Sequence, residues 1–155
     1  AGGIADGRGV AAALALGASG ALCGTTFFAS DESLASDSAK QAALHGSGDD
    51  TERSSVFDVA RNLDWPAGWN LRALGNTFTR QWNGNMAGLC QNVVAERDRF
   101  NAAVAAGDTD VAPVIVGEAA DLVQVRRSAQ ATLHDMMAQT EDHLRRLAEI
   151  VDPIE

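Results

Sequence analysis

Two glycine-containing pairs, Gly2-Gly3 and Gly24-Thr25, are the residues of this 155-residue chain best suited to hold a ligand. Glycine leaves its backbone N–H uncovered by a Cβ, and a threonine hydroxyl adds a donor, so each pair can approach a phosphate oxygen closely. Between them lie a short helical pattern and a short apolar stretch. If each pair ends a parallel strand, both ends fall on one sheet edge and both backbones reach the same phosphate, with a helix N-terminus adding its dipole. The competing reading is that these glycines only end strands and turn corners. In a (β/α)8 barrel the standard phosphate site follows strands 7 and 8, beside a short extra helix, and the order here suits that arrangement.

Other residues with chemical potential have plainer explanations. Asp6 could steer a ligand, but it stands where a helix N-cap belongs, and Arg8 reads as a solvated helix residue. Trp65, Trp69 and Trp82 could line a substrate pocket; with only 5% aromatic residues in the chain, packing anchors are the simpler assignment. His134 and His143 read as surface groups, and Met136 and Met137 as part of an amphipathic stripe. Cys23 reads as an inert residue on a buried strand, and Cys90 as part of a helix face. Two distant cysteines without a C-x-x-C spacing give neither a disulfide framework nor a zinc site, and they fit a reducing cytosol.

The elements that must position the glycine pairs follow from local signals. Asp6 caps a helix running to about residue 16, with Gly17 at the left-handed stop. Residues 20–23 predict a short strand, and the lack of apolar/polar alternation there predicts burial on both faces. Ser30 or Ser36 caps a helix over 37–45 closed by Gly46, and 51–59 predicts an exposed strand. Pro66 and Gly68 break the stretch 64–69. Residues 86–106 carry an i, i+3/i+4 stripe that predicts one long helix ending at Gly107. A second stripe, Leu133, Met136, Met137, Thr140, Leu144, Leu147 and Val151, predicts another helix, with Ser128 as cap and Pro153 as stop. Val114-Ile115-Val116 reads as a short strand or a buried connection.

Composition narrows the class. With 46% apolar and 21% charged residues the chain is that of a globular segment, which excludes disordered and collagen-like classes. Its net charge of −9 repels nucleic acid and anionic lipid, and no apolar run reaches the ~18 residues of a membrane span. The start Ala1-Gly2-Gly3-Ile4, in mid-motif, reads as the interior of a longer protein, and a single lysine among 12 basic residues is the skew of a GC-rich bacterial genome.

The run Ala1-Gly2-Gly3-Ile4-Ala5-Asp6-Gly7-Arg8-Gly9-Val10, continuing through the Ala-Leu stretch to Ala18 and followed by Gly24-Thr25-Thr26-Phe27, resembles the closing part of the barrel of nitronate monooxygenases, formerly called 2-nitropropane dioxygenases. Val56-Phe57-Asp58-Val59-Ala60, Arg72-Ala73-Leu74, Phe78-Thr79-Arg80-Gln81-Trp82, Ala105-Ala106-Gly107-Asp108 and Gly117-Glu118-Ala119 resemble later segments of that family. The resemblance implies an α/β fold, the C-terminal portion of a (β/α)8 TIM barrel: residues 1–29 form its last αβ unit, 30–116 a smaller inserted α+β lid domain, and 117–155 helices returning to the barrel. It also implies FMN as cofactor, its phosphate held by Gly2, Gly3, Gly24 and Thr25, and oxidation of a nitronate or nitroalkane by dioxygen. The family's catalytic histidine belongs to an earlier barrel segment, so no histidine here inherits that role. Two positions depart from the pattern, Thr26 and Gly75, each where the family often has arginine. The first motif is shared with flavin-dependent enoyl-acyl carrier protein reductases, which use NAD(P)H and remain the enzyme alternative. A non-catalytic helical interaction module is the alternative of another class.

Overall fold

In the computed structural model, which describes residues 1–66 and 68–151, Asp6 accepts the N–H of Gly9 and opens helix α1 (Gly7–Ala15). Gly17 follows at φ +94°, as a C-terminal stop requires. The strand expected at 20–23 does not form, and Leu22 is 74% exposed. A parallel strand draws its hydrogen bonds from flanking strands, and among the described residues none lies beside this one. The chain turns instead into a single-turn helix, α2 (Thr25–Phe28), that the sequence reading did not foresee. Ser36, not Ser30, caps α3 (Asp37–His45) by accepting the Ala39 N–H; the Ser30 hydroxyl donates to the Phe27 carbonyl.

The strand expected over 51–59 is real only at its start. Thr51–Ser54 forms β1, paired antiparallel with β2 (Leu71–Leu74) in the register Thr51 to Leu74 and Ser54 to Leu71. The Ser54 hydroxyl then accepts the Val56 N–H and the chain turns into α4 (Val56–Ala60), because Val56, Phe57 and Ala60 sit on one helical face and are all buried. Helix α5 (Thr77–Trp82) begins at a reciprocal cap in which Asn76 and Thr79 bond each other's backbone.

The single helix expected over 86–106 is two, α6 (Met86–Gln91) and α7 (Val93–Ala106), hinged at Asn92. Its side-chain amide takes the Gly88 carbonyl at 2.9 Å and its ψ is 15°, so a local side-chain bond competes with helix continuation. The stripe is likewise only partly inward, with Leu89, Phe100 and Ala103 buried and Cys90 and Val94 exposed. Gly107 closes α7 at φ +68°. Phe57, Phe78 and Phe100, one each from α4, α5 and α7, meet with ring centroids 5.8–6.4 Å apart and form the centre of the largest core.

A second core joins α3 to the connection after α7, where Val114 and Val116 are buried without forming a strand. A third unites Ala5, Ala29, Ala119 and Val123, and so ties the N-terminal segment to residues beyond 117. Helix α8 (Ala129–Val151), capped by Ser128, runs against α1. Only Met136 and Thr140 of its stripe are buried; Leu133, Met137, Leu144, Leu147 and Val151 face outward, and Pro153 lies outside the described residues. No described helix is long and apolar enough to cross a membrane.

Candidate active-site groove

Gly24 caps α2, and its Cβ position is open, with no heavy atom within 4 Å. Thr25, the first residue of α2, turns its hydroxyl toward the connection after Val116, where it accepts the Gly117 N–H at 3.0 Å. That acceptance leaves the hydroxyl proton free to donate outward. Gly24 and Thr25 form one rim of a groove of about 370 Å³ whose other walls are Ile115, Val116, Leu71 and the two indoles of Trp65 and Trp69. Arg72 also borders it, its guanidinium fixed by Glu118 at 3.0 Å and by the Thr51 carbonyl and hydroxyl.

Gly2 and Gly3 are not among the groove's lining residues. Both are exposed, at φ +84° and +70°, with nothing within 4 Å of a built Cβ; these are backbone angles that glycine adopts freely. Burial pushes the Cys23 thiol up. Cys23 is half-buried on an irregular segment rather than buried on a strand, and the raised thiol makes it a poor nucleophile.

Thr26 points the other way. It is buried and lines a separate polar cavity of about 200 Å³ with Asp6, Asp135, Met136 and Gln139, between the lead-in to α1, residues 122–127 and α8. Asp6, beside it, is partly buried, which alone would raise its carboxyl, but the Arg8 guanidinium and the Gly9 N–H outweigh this and hold it below its ordinary value. Arg8 is therefore the ion-pair partner of the cap, at 2.6 Å. Gly75, the second departure, borders a different depression near Arg80 and packs toward Glu52.

The tryptophans divide. Trp82 is a packing anchor as expected, 7% exposed, its indole N–H on Glu96. Within this chain Trp65 and Trp69 are 53% and 69% exposed and line the groove instead. The residue that the sequence reading passed over is Asp58 of α4, buried, whose Oδ1 accepts the Trp65 indole N–H and whose Oδ2 accepts the Leu71 N–H. An acid inside the apolar run Val56-Phe57-Asp58-Val59-Ala60 is the signal that could have exposed it, because a core carboxylate needs partners. The histidines are elsewhere: His45 bonds the Gln41 carbonyl at the end of α3, and His134 and His143 lie on α8. No group of three or more metal-ligating side chains gathers among the described residues.

The fold places the chain in a class before it gives a family. It superposes on part of the nitroalkane oxidase from Streptomyces ansochromogenes with a TM-score of 0.76 and 26% identity, over 94% of this chain and 40% of that one. On FabK from Thermotoga maritima the TM-score is 0.75 at 28% identity, over 96% of this chain and 45% of the other. The chain is thus an α/β fragment that matches part of these TIM-barrel enzymes. Residues 1–139 match the nitronate monooxygenase family, and the chain belongs to that family. A probable nitronate monooxygenase of Staphylococcus haemolyticus is 38% identical over 89 residues, which are 56% of this chain and 22% of that protein. The chain spans less than half the length of each of these relatives.

Proposed function

We propose that this chain supplies the cofactor-phosphate end and part of the substrate groove of an FMN-dependent nitronate monooxygenase that oxidises alkyl nitronates with dioxygen. The observation that carries the reading is the rim formed by Gly24 and Thr25: an open backbone and a hydroxyl with a proton to spare, set at the end of an apolar groove. The donor set fits a phosphate, since backbone amides and a hydroxyl need no cation to bind an anion. Gly2, Gly3, Gly24 and Thr25 are the residues assigned to hold it. When bound there, FMN supplies a two-electron acceptor for the nitronate and a donor to dioxygen. The chain's own residues bind, orient and exclude water: Thr25 is braced by Gly117, and Leu71, Ile115 and Val116 make the groove walls apolar. No histidine lines the groove among the described residues, so proton transfer is assigned to no group of this chain. Residues 30–116 are assigned to the lid.

The test is an absorbance spectrum of the purified full-length protein, followed by turnover of propionate 3-nitronate. A retained flavin band with oxygen-dependent nitronate consumption is expected. Absence of flavin after reconstitution with FMN would overturn the proposal. A second reading, reduction of an enoyl thioester with NAD(P)H, is favoured by the apolar lining of the groove, which suits an acyl chain. NAD(P)H-dependent enoyl reduction without nitronate turnover would select it.

A further inference from the structure

The phosphate role leaves the far wall of the groove unused. Of three tryptophans, one is buried and two stand at the groove. Trp82 buries its ring in the core of this chain, whereas Trp65 and Trp69 line the groove. Trp65 and the backbone of Leu71 are both tied to one group. The Asp58 carboxylate spends one oxygen on the Trp65 indole and the other on the backbone of Leu71, each at 3.1 Å, so one buried group clasps both ends. Between them the Trp69 N–H donates to the Pro66 carbonyl at 3.0 Å and Gly68 takes φ +86°. Upstream, Arg97 fixes the lead-in by donating to the Ala60 carbonyl and the Asn62 side chain.

We propose that Trp65 and Trp69 form a wall that recognises the hydrophobic body of the substrate, and that Asp58 is the positioning residue holding this wall opposite Gly24 and Thr25. The proposal rests on the nitronate reading above and narrows it: the substrate class is nitronates bearing a ring or a chain of several carbons. A groove of about 370 Å³ lined by two indoles, a leucine, an isoleucine and a valine is far larger than a two-carbon nitronate, and it gains most from displacing water with an apolar body. It is also continuous with the proposed cofactor rim, which keeps that body within reach of the reacting end.

The experiment uses the full-length holoenzyme with the nitronates of nitroethane and 2-phenylnitroethane. Trp69→Ala is expected to lower the preference for the phenyl substrate, measured as the ratio of the two kcat/KM values, by about tenfold, with the loss falling on KM. Asp58→Asn, which keeps the volume but replaces one acceptor with a donor, is expected to lower the same ratio although Asp58 touches no substrate. Trp69→Phe is expected to restore much of it. Anaerobic titration with the phenyl nitronate, followed by tryptophan fluorescence, reads the wall without turnover. Saturable quenching is expected, with an apparent Kd raised about tenfold in Asp58→Asn, which retains all three indoles. An unchanged ratio in both Trp69→Ala and Asp58→Asn, or no saturable quenching in the wild type, overturns the proposal. Quenching without turnover of either nitronate would remove the nitronate reading while keeping the wall.

Discussion

Gly7→Ala should loosen the contact between α1 and α8, and the cost can be worked from distances. A Cβ at Gly7 would stand 2.4 Å from the Gln139 Cβ, 2.5 Å from the Met136 carbonyl oxygen and 2.6 Å from the Thr140 nitrogen. Two of these three atoms are backbone, so no rotamer change relieves the overlap. Carbon contacts relax near 3.5–4.0 Å, so the helices must separate by about 1 Å. That displacement breaks the bond from the Gly7 N–H to the Gln139 side chain, now 3.1 Å, and the approach of the Thr140 hydroxyl to the Gly7 carbonyl, now 3.3 Å. Overpacking costs ~1–3 kcal/mol and the two hydrogen bonds ~0.5–1.5 kcal/mol each, against a helix-propensity gain of ~0.5–1 kcal/mol. The central expectation is a loss of about 3 kcal/mol, or a fall of about 1–2 M in the urea midpoint. Urea unfolding of the full-length protein, followed by circular dichroism, measures it. Gly9→Ala is the control: its Cβ meets the Ile4 Cγ2 methyl at 3.2 Å and the Ile4 Cα and Cβ at an ordinary 3.6 Å, so a shift of a few tenths of an ångström suffices and the midpoint falls far less than in Gly7→Ala. Equal midpoints for the two variants would refute the docking of α1 on α8 at Gly7.

Gly24→Val should abolish FMN retention while leaving the fold intact, because nothing within 4 Å opposes the new side chain but it covers the amide; losing two charge-assisted bonds weakens binding by ~3–6 kcal/mol, and Gly20→Val, equally open, should bind FMN normally in a flavin-fluorescence titration. Thr26→Arg should leave FMN affinity within a few-fold and change thermal stability instead, since the side chain enters the cavity beside Asp135; a large gain in FMN affinity would reverse the assignment. The Asp121 carboxyl is held below its ordinary value by the Gly48 N–H and then by Ser47. Its contribution is therefore complete above the unfolded value of about 3.9 and is lost as pH falls through the lower folded value. Asp121→Asn should flatten the stability profile in that acid window and nowhere else, as thermal melts across pH would show.

What the sequence made legible was written in side-chain-to-backbone bonds. Asp6, Ser36 and Ser128 each place an oxygen on an amide three residues on, and Gly17 and Gly107 take the angles that glycine favours, so these helix ends could be read residue by residue. What failed depended on neighbours. Residues 20–23 have a strand's composition, but a strand needs a partner. Asn92 interrupts a stripe whose periodicity is otherwise unbroken, through one amide bond that periodicity does not count. Helix α5 and strand β2 are four to six residues long, too short for any period to show, and their ends are set by an Asn-Thr cap and by pairing with β1. The groove was not legible, because Gly117 reaches Thr25 across 92 residues of chain and Asp58 meets Trp65 and Leu71 only through the fold.

The pair Thr25-Thr26 shows how the site and the scaffold share two adjacent residues. One turn of helix sends Thr25 outward, to accept the Gly117 N–H and face the groove, and Thr26 inward, to a polar cavity that Asp6, residues 122–127 and α8 enclose, with Asp135 and Gln139 on its wall. A cation at position 26 would therefore compete for carboxylates that are already engaged, Asp6 by Arg8 and Asp135 by Arg127. A hydroxyl there makes no such claim on the carboxylates and leaves Gly24 and Thr25, which line the groove, undisturbed. Thr26 thus bears on the packing of this cavity, while the phosphate role proposed for Gly24 and Thr25 does not depend on it.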